Sequence, residues 1–167
     1  MSVSTEPRVM APHHTAFVVP DVAVWMEEFS TVLGLQWREV RVAPIRLKDQ
    51  HGVEHEHTTT YVHSKGAPSI ELFEGIPGTI LEGGDTPRFH HIGYWVDDLV
   101  TRSREVNDCG WAWLQDAGPT TPPPAAFHKT PFGYLELLNL EFPRGEYYHD
   151  LFPPGRTPPG YVGPTTP

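Results

Sequence analysis

The alternation of polar and apolar positions is written twice along this chain. From Pro12 it reads PHHTAFVVPD, and from Phe89 it reads FHHIGYWVDD. Each is a histidine pair, a run alternating small and bulky apolar residues, and an acid at a turn. A period of two predicts a strand. Behind each acid the period lengthens to that of a helix. Asp21 is placed to cap VAVWMEEFSTVLG, in which Val22, Trp25, Phe29, Val32 and Leu33 recur on one face and Gly34 can supply a left-handed C-terminal cap. Asp98 does the same for LVTRSREVNDCG, with Leu99, Ser103 and Val106 inward and Gly110 at the end. A short strand is predicted after each helix, at 35–40 and at 111–115. Each half then closes with a hairpin, HTTTYVHSKGAPSIELFE and AAFHKTPFGYLELLNLE.

Both halves therefore read strand, helix, strand, strand, strand. The first covers about 12–81, the second 88–141, and a Pro/Gly-rich tail fills 142–167. His14 and His91 are offset by 77 residues, Glu71 and Glu136 by 65, so the first half is 12 residues longer. The excess falls in RVAPIRLKDQHGVEHEH, which reads as a polar loop; its histidines, His51, His55 and His57, are expected in solvent. A unit of this kind leaves one sheet face bare, so two must pair within a chain or between chains.

Side-chain size chooses between the faces of the opening strands. Thr15, Phe17 and Val19 share the bulkier face of the first and Ile92, Tyr94 and Val96 that of the second, which suits packing under a helix. The other faces carry His14 beside Ala16 and His91 beside Gly93. Small neighbours leave room, which selects His14 and His91 over His13 and His90. Glu71 and Glu136 sit in otherwise apolar strands, where a carboxylate must be paired, hydrogen-bonded or metal-bound. Two imidazoles and two carboxylates, one of each per half, form a donor set suited to Zn, Ni, Co, Mn or Fe(II). His63 and His128 each stand eight residues before a strand glutamate, at matching places.

The net charge of −9 argues against a nucleic-acid face, and no apolar run reaches the length of a membrane span. The lone Cys109 excludes an internal disulfide framework and suggests a reducing cytoplasm. The tail is too rich in Pro and Gly for a helix or central strand, yet it holds Tyr147, Tyr148, Leu151, Phe152 and Tyr161. Residues 142 to about 152 are expected to pack on the body or on a partner subunit, the last dozen to be loose, and a homodimer is expected.

On these residues the chain resembles the vicinal oxygen chelate superfamily, which includes glyoxalase I, methylmalonyl-CoA epimerase, extradiol dioxygenases and the bleomycin- and fosfomycin-resistance proteins. HHIGYWVDDL is similar to the family's opening-strand pattern H-[IV]-G-x-x-V-x-D; HTAFVVPDV follows it less closely. IELFE and LELLN fit its metal-bearing last strand, although PFGYLE is one residue shorter than the family's P-x-G-x-x-x-E. The resemblance implies an α+β fold in which two βαβββ modules form a curved mixed sheet around a cavity. There one divalent ion is held by His14, Glu71, His91 and Glu136. It further implies a small oxygen-rich substrate and proton transfer next to a carbonyl, with Glu136 or Glu71 as base, in an isomerase or lyase. The alternatives are an Fe(II) dioxygenase using His14, His91 and Glu136, and a metal-free binding protein. Phe73, Trp95, Tyr134, His63 and His128 are the expected pocket residues.

Overall fold

The computed structural model describes residues 11–117, 120–144 and 146–156. In chain order the elements are β1 (Ala11–Val19), α1 (Val22–Leu33), β2 (Arg41–Lys48), β3 (Glu54–His63), β4 (Ser69–Glu74), β5 (Arg88–Val96), α2 (Leu99–Asp108), β6 (Trp113–Ala117), β7 (Ala125–Thr130) and β8 (Gly133–Asn139). A 3-10 helix, Glu146–Leu151, follows. The chain is α+β, two βαβββ units in one eight-stranded mixed sheet of order β2-β3-β4-β1-β5-β8-β7-β6. β1 runs parallel to β4 and β5 parallel to β8, whereas β1 and β5 pair antiparallel at the centre. The two units therefore join within one chain.

Both helices start where an aspartate satisfies a free backbone amide. Asp21 accepts from Val24 N at 2.9 Å and Asp98 from Thr101 N at 3.1 Å. Gly34 closes α1 at φ 69°, its N–H bonded to Ser30 O. Val22, Trp25, Met26 and Phe29 pack on Val19, Val62 and Leu72, while α2 sets Leu99 and Val106 on Leu135 and Leu137. The opposite side of the sheet curls inward. Its two edges are stitched by Gln115, whose Oε1 accepts from Lys48 N at 3.1 Å and whose Nε2 donates to Arg46 O at 3.5 Å. The result is a nearly closed barrel with the helices outside. Among the described residues no helix is long and apolar enough to cross a membrane.

Three expectations are corrected. Residues 35–40 form only an isolated bridge, Trp37 to Ser64, and the strand lies instead at Arg41–Lys48, within the supposed loop. There RVAPIRLK pairs along its whole length with β3, and Pro44 is tolerated because β2 is an edge strand. Val32 and Leu33 are exposed rather than inward, the place beside Phe29 being taken by Trp37, which donates to Met26 O at 3.0 Å. His51 and His55 are exposed as expected, His55 lying 3.0 Å from the Asp49 carboxylate, but His55 and His57 belong to β3.

The tail returns over the body. Trp95 donates to Leu151 O at 2.9 Å, Phe152 packs tilted against Trp95 at 4.5 Å, and Arg38 binds Asp150 at 2.5 Å. These aromatic residues are satisfied within their own chain, so they no longer argue for a second subunit. Tyr161 and the last dozen residues fall largely outside the described residues, which end at 156.

Candidate metal centre

The central strand pair carries an irregularity at each histidine doublet. Pro12 faces Tyr94 and His14 faces Gly93, which leaves His13 unpaired. Ala16 faces His91 and Phe17 faces Phe89, which leaves His90 unpaired. Each strand bulges by one residue, so strict alternation fails there. All four histidines are buried on the concave side. His13 packs against His63 and Trp95, and His90 against Phe73 and Tyr134. The expectation that His13 and His90 face away is thus corrected. His14 and His91 remain the pair that meets the carboxylates.

Small residues make that pair possible. Gly93 stands opposite His14 and Ala16 opposite His91, so each histidine lies over its neighbour strand's smallest side chain. The two Nε2 atoms approach to 2.6 Å. Glu71 Oε2 lies 3.3 Å from His14 Nε2 and 3.4 Å from His91 Nε2, and Glu136 Oε2 lies at the same two distances. Donor atoms of His14, Glu71 and His91 all fall within 4.8 Å of one another. Glu136 is as near to both histidines yet outside that cluster, so the carboxylates flank the imidazole pair from different sides.

The electrostatics suit a cation. Burial alone would push both carboxyls up. The neighbouring His63, His14 and His91 outweigh it and hold Glu71 at about 2. His14 and His91 hold Glu136 well below the usual carboxylate range. Burial would likewise lower His91, but hydrogen bonds to Glu136 and Glu71 raise it to about 9. His63 and His90 are pushed down by burial, to about 4 and about 3, and His13 falls well below its ordinary value for the same reason. Two ionised carboxylates therefore face the imidazole pair, which suits a cation. Bonds of 2.0–2.2 Å to a divalent ion imply donor edges of about 3.0 Å at right angles and about 3.4 Å at the tetrahedral angle. The four His–Glu edges fall at the upper end of this span and the 2.6 Å between the two Nε2 atoms falls below it, so the donor chemistry fits such an ion once the two rings part.

The centre opens on a cavity of about 270 Å³. Glu71, His91 and Glu136 line it together with Pro44, Ile45, Phe73 and Phe127, and Thr59, Tyr61 and Tyr148 bring hydroxyls. The Tyr61 and Tyr148 oxygens are 2.9 Å apart, and burial pushes both phenols up.

The other expected pocket residues are dispersed. Phe73 lines the cavity. His63 stands behind Glu71, its Nε2 3.5 Å from Oε1. Trp95 is fully buried behind His13 and beneath Phe152. Tyr134 stacks on His90 at 4.7 Å and opens to a separate surface hollow. His128 lies on the helix side, its ring N–H donating to Trp111 O at 3.1 Å. The reason is register. Five residues connect β3 to β4 and pair His63 with Glu71, whereas two connect β7 to β8 and pair Phe127 with Glu136. A one-residue change in the connection moves a side chain to the opposite face. Phe127 thus takes the place that His63 holds in the first unit. Phe127 and Tyr61 were legible as alternation partners on those strands; Tyr148 arrives from the tail with no periodic signal.

The family described as Glyoxalase/Bleomycin resistance protein/Dioxygenase superfamily matches residues 13–134. Solved structures share the fold at low identity. Methylmalonyl-CoA epimerase from Mycobacterium tuberculosis is 17% identical, with a TM-score of 0.51 over 83% of this chain and 92% of that one. The hypothetical protein BH1468 from Bacillus halodurans C-125 is 15% identical, with a TM-score of 0.54 over 82% and 99%. A mutant of 4-hydroxymandelate synthase from Streptomyces coelicolor is 16% identical, with a TM-score of 0.54 over 84% of this chain and 50% of that one. A comparison with curated proteins finds no match.

Proposed function

Since the chain belongs to the Glyoxalase/Bleomycin resistance protein/Dioxygenase superfamily, we propose that it is a divalent-metal-dependent enzyme. It moves a proton next to a carbonyl in a small organic substrate, as an isomerase or lyase. The observation that carries this reading is Glu71. It approaches both histidines as closely as Glu136 does. A facial set of two histidines and one carboxylate, as in Fe(II) oxygenases, needs only His14, His91 and Glu136. A second carboxylate at equal distance supports a four-donor set, with one donor free to act as a base.

His14, Glu71, His91 and Glu136 would hold the ion, which when bound supplies Lewis-acid charge for a developing oxyanion. The chain's residues do the rest. Glu71 lines the cavity, so it is placed to accept a proton from a bound substrate. Its second oxygen faces His63 Nε2, which steadies the carboxylate in either role. Phe73, Phe127 and Ile45 give this pocket apolar walls, and the Tyr61–Tyr148 hydroxyl pair offers a hydrogen-bond donor to a substrate oxygen. The cavity suits a compact, moderately apolar molecule with adjacent oxygens.

Three measurements test the reading. Metal content comes first: purified chain without stoichiometric metal, and unable to take any up, overturns both enzyme readings and leaves a binding protein. Solvent deuterium entering a recovered carbonyl substrate without oxygen uptake supports the proton-transfer reading. Oxygen uptake with catechols, undiminished in Glu71→Ala, replaces it with the three-ligand oxygenase.

A further inference from the structure

We propose that His90 is a positioning residue, accepting the Nδ1–H of His91 and so turning the Nε2 of His91 to the metal. The inference rests on the metal reading above. It begins at His90, whose Nε2 lies 2.6 Å from Ile80 O. A carbonyl oxygen only accepts, so that nitrogen carries the proton. A neutral ring has one N–H, hence His90 Nδ1 is a lone pair. It sits 2.7 Å from His91 Nδ1, which must therefore donate. With one proton fixed on Nδ1, His91 turns its Nε2 to the centre, 3.4 Å from each carboxylate, and a proton carried on that atom is the one a metal would displace.

The first strand repeats the contact without that anchor. His13 Nδ1 contacts His14 Nδ1, and the two rings meet edge to face at 4.6 Å. Among the described residues His13 Nε2 is buried with no hydrogen-bond partner, so no carbonyl fixes its tautomer as Ile80 O fixes that of His90. Ordinary alternation would send His13 and His90 to the far side of the sheet. The bulge at each brings it beside the ring that follows it. Metal-binding imidazoles commonly donate their second N–H to an oxygen or water that fixes the tautomer. At His91 a second imidazole, that of His90, provides the acceptor.

The test uses the full chain as wild type, His90→Leu and His90→Asn. Zinc affinity is measured by chelator competition, the tautomer of His91 by nitrogen-15 NMR of the zinc-loaded protein, and integrity by thermal unfolding of the metal-free forms. Wild type should bind zinc with His91 protonated on Nδ1. His90→Leu should bind roughly 10- to 100-fold more weakly, and His90→Asn, whose side-chain oxygen can replace the acceptor, should recover most of that loss. Wild type that binds zinc with the His91 proton on Nε2 overturns the inference even where no variant folds. So does undiminished affinity in His90→Leu, or a loss that His90→Asn shares in full. Wild type that takes up no zinc overturns the metal reading itself, and this inference with it.

Discussion

His63 and Glu71 are direct partners across β3 and β4, with His63 Nε2 3.5 Å from Glu71 Oε1, whereas their sequence counterparts His128 and Glu136 lie on opposite faces of their hairpin. The repeat is therefore symmetric in the donors and asymmetric in what backs them.

This asymmetry predicts unequal effects of two similar substitutions. His63→Ala removes the only described support of Glu71 beyond the donor pair itself and should weaken zinc binding by about 10- to 100-fold. His128→Ala lies beyond the sheet from the centre and should leave zinc affinity within about twofold, at a cost in stability only. Chelator competition on the two variants checks this; equal losses would remove His63 from the centre.

Much of this was open to a reading of the sequence, because alternation and helical period follow from backbone geometry alone. The two units, both caps, and the convergence of His14, Glu71, His91 and Glu136 follow from placing His14 over His91 and Glu71 over Glu136. What escaped depended on single-residue register. The bulges at His13 and His90 turn two apparently outward histidines inward, and a two-residue connection turns His128 outward. Neither leaves a mark in composition or period. β2 was hidden because an edge strand bearing Arg41, Pro44 and Lys48 has the polarity of a loop.

The tail should be structural. Phe152 is almost fully buried against Trp95, whose indole is tied to Leu151. Phe152→Ala should cost about 3 kcal/mol. Urea unfolding of the metal-free chain measures it, and a loss below about 1 kcal/mol would show that the tail contributes little to the body.

Metal uptake should release a proton. His91, raised from 6.5 to about 9, is protonated at pH 7 in the metal-free chain, and a bound ion must displace that proton. Apparent zinc affinity should climb roughly tenfold per pH unit up to about pH 9 and level off above it. The same shift has a signed effect on stability. A pKa raised on folding stabilises fully below 6.5, and that contribution is lost as pH rises through 9. Glu71 acts oppositely: its contribution is present above 4.5 and lost as pH falls towards 2. Calorimetric titration at pH 7 in buffers of differing ionisation enthalpy should count about one proton per zinc; a count of zero would place the His91 proton elsewhere.

The sharpest single probe of the centre is Gly93, which bears no donor. It stands opposite His14, and a Cβ there would come within 2.5 Å of His14 Nδ1 and within 2.9 Å of Nε2. No side-chain atom survives at such separations, so either the backbone or the imidazole moves, and the ring is the softer of the two. The strand itself tolerates alanine at this place, since the equivalent residue opposite His91 is Ala16. Gly93→Ala should therefore fold, lose zinc affinity by at least about tenfold, and leave the metal-free chain close to wild-type stability. Ala16→Gly adds space instead of removing it and should keep zinc affinity within about twofold at a stability cost of roughly 1 kcal/mol. Chelator competition and thermal unfolding on both variants separate displacement of His14 from general damage to the sheet. Full zinc affinity in Gly93→Ala would show that His14 is not held where the centre requires it.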